Sequence, residues 1–77
     1  MSSLAPQPRR KVLKAITKAY GFSLDREGGK HSVFYKQGVL EPIVLPRHDE
    51  ISPGVIRNIC KIVGVTVDDF LQTLRHC

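Results

Sequence analysis

Apolar positions fall at helical spacing at both ends of the chain and alternate with polar ones in the middle. Between residues 9 and 20, Val12, Ile16 and the pair Ala19-Tyr20 recur on one face, with Leu13 beside them. That spacing predicts an amphipathic helix. Pro8 stands just before it, where a missing N–H costs nothing, and Gly21 follows as a natural stop. Phe22 to Arg26 alternates apolar and polar residues and predicts a first strand. His31 to Lys36 is rich in β-formers and predicts a second, with Val33 and Tyr35 on one face and Phe34 on the other. Gly28-Gly29 between them reads as a hairpin turn, and Gln37-Gly38 as the next turn. Ile43-Val44-Leu45 is a short third strand, which Pro42 places at an edge or at a strand beginning. Turns this short imply an antiparallel meander.

Pro46 to Glu50 reads as a loop. Ser52-Pro53 then opens a second helix, with Ser as N-cap and Pro at the first helical position. Val55, Ile56, Ile59, Cys60, Ile62 and Val63 form its apolar side, and Gly64 ends it. Thr66 caps a last short helix that carries Asp68-Asp69 in its first turn, where negative charge is favoured. Phe70, Leu71 and Leu74 are its apolar face. The order predicts an α+β domain with both main helices on one face of a three-stranded antiparallel sheet. The other face, holding Phe34 and polar residues, would be open to a partner. Residues 1–8 read as a flexible lead-in and residues 9–77 as a single domain.

Composition narrows the functional classes. The chain has 77 residues and 42% hydrophobic content, enough for a globular fold with a small core, so a partner is expected. No apolar run approaches the roughly 20 residues of a membrane span, and the start lacks the pattern of a signal peptide. A cytoplasmic protein is the default. Cys60 falls in a helical apolar pattern and predicts a buried thiol; Cys77 is expected to be disordered. These two cysteines and the three histidines lack metal-ligand spacing, so neither a metal nor a cofactor is expected. Charge changes the picture most. Residues 1–47 hold nine Lys or Arg against three acids, a net of +6; residues 48–77 hold three against four, a net of −1. A basic half of this kind suggests a polyanionic partner, usually nucleic acid. Arg9, Arg10 and Lys11 in the first turn of the first helix oppose its dipole. Phosphate binding is one explanation for them and a solvated face is another.

The candidate chemistry centres on Gly28-Gly29-Lys30-His31. Histidine both donates and accepts a proton near neutral pH, and glycines allow positive φ and a close approach of ligand to backbone. RNA carries its own nucleophile, the 2′-hydroxyl. Its cleavage needs a base, an acid and cations, which one or two histidines on a basic surface supply without a metal. Arg26, Lys30 and Lys36 border the turn as phosphate contacts, and Arg10 and Lys14 join them from the first helix. Each is equally a solvated side chain. His48, beside Arg47, reads as a second proton-transfer group, a phosphate ligand or a loop residue; His76 carries no assignment. Phe34 and Tyr35 suit base stacking or the core.

In order along the chain, these residues resemble the HicA, or YcfA-like, toxins of type II toxin–antitoxin modules. The resemblance covers roughly residues 9 to 71. It rests on a basic first helix ending in Tyr20-Gly21-Phe22, then Gly28-Gly29-Lys30-His31-Ser32-Val33-Phe34. Pro46-Arg47-His48, Pro53-Gly54-Val55-Ile56-Arg57-Asn58-Ile59 and Val63-Gly64-Val65 follow. The resemblance implies a double-stranded-RNA-binding-domain-like fold and a metal-independent ribonuclease that cleaves mRNA. It puts the catalytic role on His31 and implies a HicB-type antitoxin that masks that histidine. It carries no catalytic role onto His48. Lys30 departs from the family, where Ser, Gly, Asn or His is frequent. A lysine there either adds charge beside the reacting phosphate or marks a drifted enzyme. Two other readings compete: a non-catalytic RNA-binding module of the same fold, and a protein that pairs through its open sheet face.

Overall fold

The computed structural model describes residues 4–77. Its elements are β1 (Gln7–Pro8), α1 (Arg9–Lys14, continued by a π-helical turn over Ala15–Ala19), β2 (Ser23–Glu27), β3 (His31–Tyr35), β4 (Ile43–Pro46), β5 (Glu50–Ile51), α2 (Pro53–Val63) and α3 (Val67–Arg75). β2, β3 and β4 form the expected antiparallel meander with β3 in the centre. Its buried face packs with all three helices around one core of Val12, Ala15, Ile16, Phe22, Phe34, Ile43, Leu45, Ile51, Ile56, Ile59, Cys60, Phe70 and Leu74. This is the α+β arrangement of a double-stranded-RNA-binding-domain-like fold.

The helix boundaries follow local chemistry. Pro53 begins α2, and Gly64 ends it at φ 87°, a left-handed conformation that a side chain would strain. Ser52 occupies the N-cap position, but its hydroxyl makes no cap bond. Thr66 does cap α3: its hydroxyl accepts from the Asp69 N–H at 3.1 Å. The first helix departs from regular α geometry. The Tyr20 N–H bonds the Ala15 carbonyl, five residues back, at 3.0 Å, and the Thr17 hydroxyl donates to the Leu13 carbonyl at 2.8 Å. The wider turn leaves Ala19 exposed, contrary to its expected place on the apolar face, while Ala15 is buried. Tyr20 then lies on α3, its ring stacked on Phe70 at 5.9 Å and its hydroxyl donating to the Thr73 hydroxyl at 2.9 Å.

The sheet corrects one expectation. Phe34 does not lie on the open face; it is 2% exposed and belongs to the core. The ladder pairs Phe34 with Ile43 and Ser32 with Leu45, so Ser32 and Phe34 share the buried face. Tyr35 and Val44 are exposed on the other face, with Val33 half-buried. One residue of phase decides which set is buried. The expected phase put a serine outside; the structure buries it.

A second correction concerns residues 46–51 and the lead-in. The expected loop Pro46–Glu50 is shorter than that: Pro46 still belongs to β4, and Glu50 begins β5, which pairs with β1, Gln7 against Ile51 and Pro8 against Glu50. The last two residues of the expected lead-in are therefore tied down, and Ile51 is fully buried. The lead-in residues 1–3 lie outside the described residues. At the other end, the Cys77 N–H bonds the Leu74 carbonyl at 3.3 Å, so this residue continues from the end of α3.

Candidate active site

His31 is the first residue of β3, reached through the turn Gly28-Gly29-Lys30. The turn is closed by the Gly28 N–H, which donates to the His31 carbonyl at 2.8 Å. Across the ladder His31 faces Pro46, the last residue of β4. The pairing continues one step further, with the Arg47 N–H donating to the Lys30 carbonyl at 3.0 Å. This register draws the Pro46-Arg47-His48 segment against the glycine turn. Gly29, Lys30, His31, Arg47 and His48 together line a cleft of about 490 Å3. That is within the range of small-ligand sites. Both imidazoles are exposed. Neither makes a hydrogen bond among the described residues.

The glycines serve the cleft differently from the sequence expectation. Neither Gly28 nor Gly29 has positive φ. Gly29 instead leaves open space: a Cβ added there would meet nothing within 4 Å. Its contribution is a bare backbone at the wall of the cleft.

Two arginines fix the frame around His31. Arg9, at the start of α1, turns inward. Its Nε donates to the Pro46 carbonyl at 2.9 Å and its Nη2 to the buried Ser32 hydroxyl at 3.1 Å. Its own N–H donates to the Asp49 carbonyl at 2.8 Å. The helix start is thereby bonded to both strand ends that form the cleft. Arg47 holds the other side. Its Nη1 lies 3.3 Å from the Glu27 carboxylate and 3.3 Å from the Gly28 carbonyl. The pair with Glu27 is half-exposed, so its main effect is orientation rather than stability.

These contacts sort the candidate phosphate ligands. Lys30 and Arg47 are at the cleft, with Glu27 offsetting part of the arginine's charge. Arg9 is half-buried and engaged in internal bonds, unlike Arg10 beside it, which is exposed. This answers part of the dipole conflict: the first-turn arginine is held by carbonyl and hydroxyl oxygens of the sheet. Arg10 and Lys14 line a separate groove of about 210 Å3 with Lys11 and Cys77. Arg26 pairs with Val33 on the open sheet face. Lys36 is at the far end of β3, its Cε 3.6 Å from where a Gly21 Cβ would be. Four strand residues, Ser32 to Tyr35, lie between it and His31 in the cleft, a rise of roughly 17 Å from His31 to Lys36.

A family model described as the HicA toxin of bacterial toxin–antitoxin systems matches residues 9–65. The chain belongs to the HicA toxin family. No curated protein and no solved structure matches it. Membership assigns a toxin role in a toxin–antitoxin system, with an antitoxin partner and an RNA substrate in general terms. The matched span runs from Arg9 through the end of α2, so it contains every residue of the cleft and of the arginine frame. Among the described residues, no helix is long and apolar enough to cross a membrane.

Three participants were not singled out from the sequence of this HicA-family chain: Ser32, Glu27 and the Pro46 carbonyl. Ser32 had a signal, a lone polar residue among β-formers next to His31. The other two depend on strand register and have none.

Proposed function

We propose that this protein is a ribonuclease toxin that cleaves mRNA in the cytoplasm, with His31 as a general acid or base at the scissile phosphate. One observation carries the reading: His31 opens into a cleft that also presents the cations Lys30 and Arg47, with a bare glycine backbone in its wall. A phosphodiester in that cleft would be held by the two cations, which would also stabilise charge developing on its non-bridging oxygens. The 2′-hydroxyl supplies the nucleophile, and the imidazole moves a proton to or from a reacting oxygen. Metal independence follows from the family resemblance and from the internal nucleophile. An antitoxin of the HicB type would neutralise the toxin by covering this cleft.

The test uses wild type and His31→Ala, with His31→Gln as a second variant of similar shape. Because His31 is exposed, both variants are expected to unfold at the wild-type urea midpoint. Wild type is expected to cut RNA in the presence of a chelator and to arrest growth on expression. Both variants should lose cleavage and toxicity while keeping salt-dependent RNA binding. A folded His31→Ala protein that still cleaves and arrests growth removes His31 from the mechanism. Wild-type protein that binds RNA and leaves it intact establishes the non-catalytic RNA-binding module instead.

A further inference from the structure

From the shared cleft we infer that His48 is the second proton-transfer group, working as the acid–base partner of His31. The inference rests on the ribonuclease reading above. A single imidazole leaves transesterification incomplete. A proton must leave the 2′-oxygen as the O2′–P bond forms. Another must reach the 5′-oxygen as the P–O5′ bond breaks. The products are a 2′,3′-cyclic phosphate and a 5′-hydroxyl. One neutral imidazole accepts the first proton and one protonated imidazole supplies the second, so protons balance with no further reactant.

The fold brings the second imidazole to the right place. Pro46 is the register partner of His31, and the Arg47 N–H extends the ladder to the Lys30 carbonyl. His48 is the next residue, and it lines the same cleft as His31. His31 belongs to β3 and His48 to the bend that follows β4, so the two reach the cleft from different segments. In-line displacement places the attacking and leaving oxygens on opposite sides of phosphorus, so two imidazoles from two segments suit it better than two from one. The segment carrying His48 is also held: the Pro46 carbonyl accepts from Arg9, and the Asp49 carbonyl accepts from the Arg9 N–H. The charged groups around His48 are Lys30 and Arg47 in the cleft, Glu27 on Arg47, and Asp49 and Glu50 next in the chain.

The experiment measures kcat and KM against pH for wild type, His48→Ala and His48→Gln on an RNA oligonucleotide. The same proteins are assayed on a uridine 3′-phosphodiester whose leaving group is p-nitrophenolate. Wild type is expected to give a bell-shaped kcat/KM profile. The His48 variants should fall about 10²–10⁴-fold in kcat with little change in KM and should lose one limb of the bell. If His48 is the acid, the p-nitrophenyl ester restores most of the lost rate, because that leaving group needs no proton. If His48 is the base, the ester does not rescue it and rescues His31→Ala instead. His48 variants that keep both limbs, or that raise KM alone, overturn the inference and leave His31 catalysis standing. Wild-type protein that cleaves neither substrate overturns the ribonuclease reading itself, and this inference with it.

Discussion

Replacing Arg9 with Ala tests whether the frame around His31 is held as the geometry indicates. The change deletes two charge-assisted hydrogen bonds, at 2.9 Å to the Pro46 carbonyl and 3.1 Å to the Ser32 hydroxyl. Bonds of that type contribute about 1.5–3 kcal/mol each when both partners are dry. Arg9 is half-buried, so the lower end applies. Ser32 is 1% exposed, so its hydroxyl would be left without a partner at a cost of about 1–3 kcal/mol, less where water enters the vacated space. Relief of the unfavourable dipole contact returns about 0.3–1 kcal/mol. The net expectation is a loss of about 3–5 kcal/mol, towards the lower end where water reaches Ser32. For a chain of 77 residues, total stability is on the order of 4–12 kcal/mol, so the loss is large. Ser32→Ala loses that one bond but leaves no buried hydroxyl unpaired, and should cost about 1–1.5 kcal/mol. In the Arg9→Ala/Ser32→Ala double variant the two costs should fail to add by about 1–2 kcal/mol. Arg9→Lys should fall between, since an ammonium lacks the planar fork that reaches both oxygens. Urea unfolding with constant slope measures all four proteins. Additive costs, or an Arg9→Ala loss under about 0.5 kcal/mol, would refute the reasoning.

Gly29→Ala separates the needs of the fold from those of the ligand. No positive φ and no neighbour within 4 Å oppose the added methyl, so stability from urea unfolding should hold or rise by up to about 1 kcal/mol. RNA cleavage should fall several-fold if the RNA backbone passes over the turn, and unchanged cleavage kinetics would show that it does not. The two cysteines should differ in alkylation. Cys77 is exposed and should react with iodoacetamide in the native protein, whereas Cys60 is buried and should react only on unfolding. Burial pushes the Cys60 thiol above its ordinary value of 9.0, with a backbone hydrogen bond opposing it more weakly. The folded state therefore favours the protonated thiol. Its contribution to stability is complete below pH 9.0 and is lost as pH rises from there through the folded value. Urea midpoints of wild type and Cys60→Ala from pH 8 upward check the sign: the alkaline decline should be shallower in the variant.

Much of the architecture was decided by residues close together in sequence. Pro53 and Gly64 bound α2 because one lacks an N–H and the other accepts a left-handed backbone. Thr66 caps α3 through a bond to Asp69, three residues on. The apolar spacing of Ile56, Ile59 and Cys60, and of Phe70 and Leu74, selects the buried faces of these helices. The glycine turn delivering His31 to a strand is equally local. Tertiary structure decided the rest, through contacts that sequence spacing does not encode. Ser32 and Phe34 face inward where Phe34 joins Ile43 and Leu45 in the core, and an arginine 23 residues earlier satisfies the serine hydroxyl that this phase buries; sequence spacing alone shows neither partner. β1 and β5 have two residues each and no pattern of their own, and they exist because they pair with each other. The π turn in the first helix carries Tyr20 onto Phe70, a residue in another helix. The cleft is of the same kind. His31 was visible as a residue, but its company of Arg47 and His48 follows from the β3–β4 register, and the cost of shifting that register by one residue is paid across the whole core.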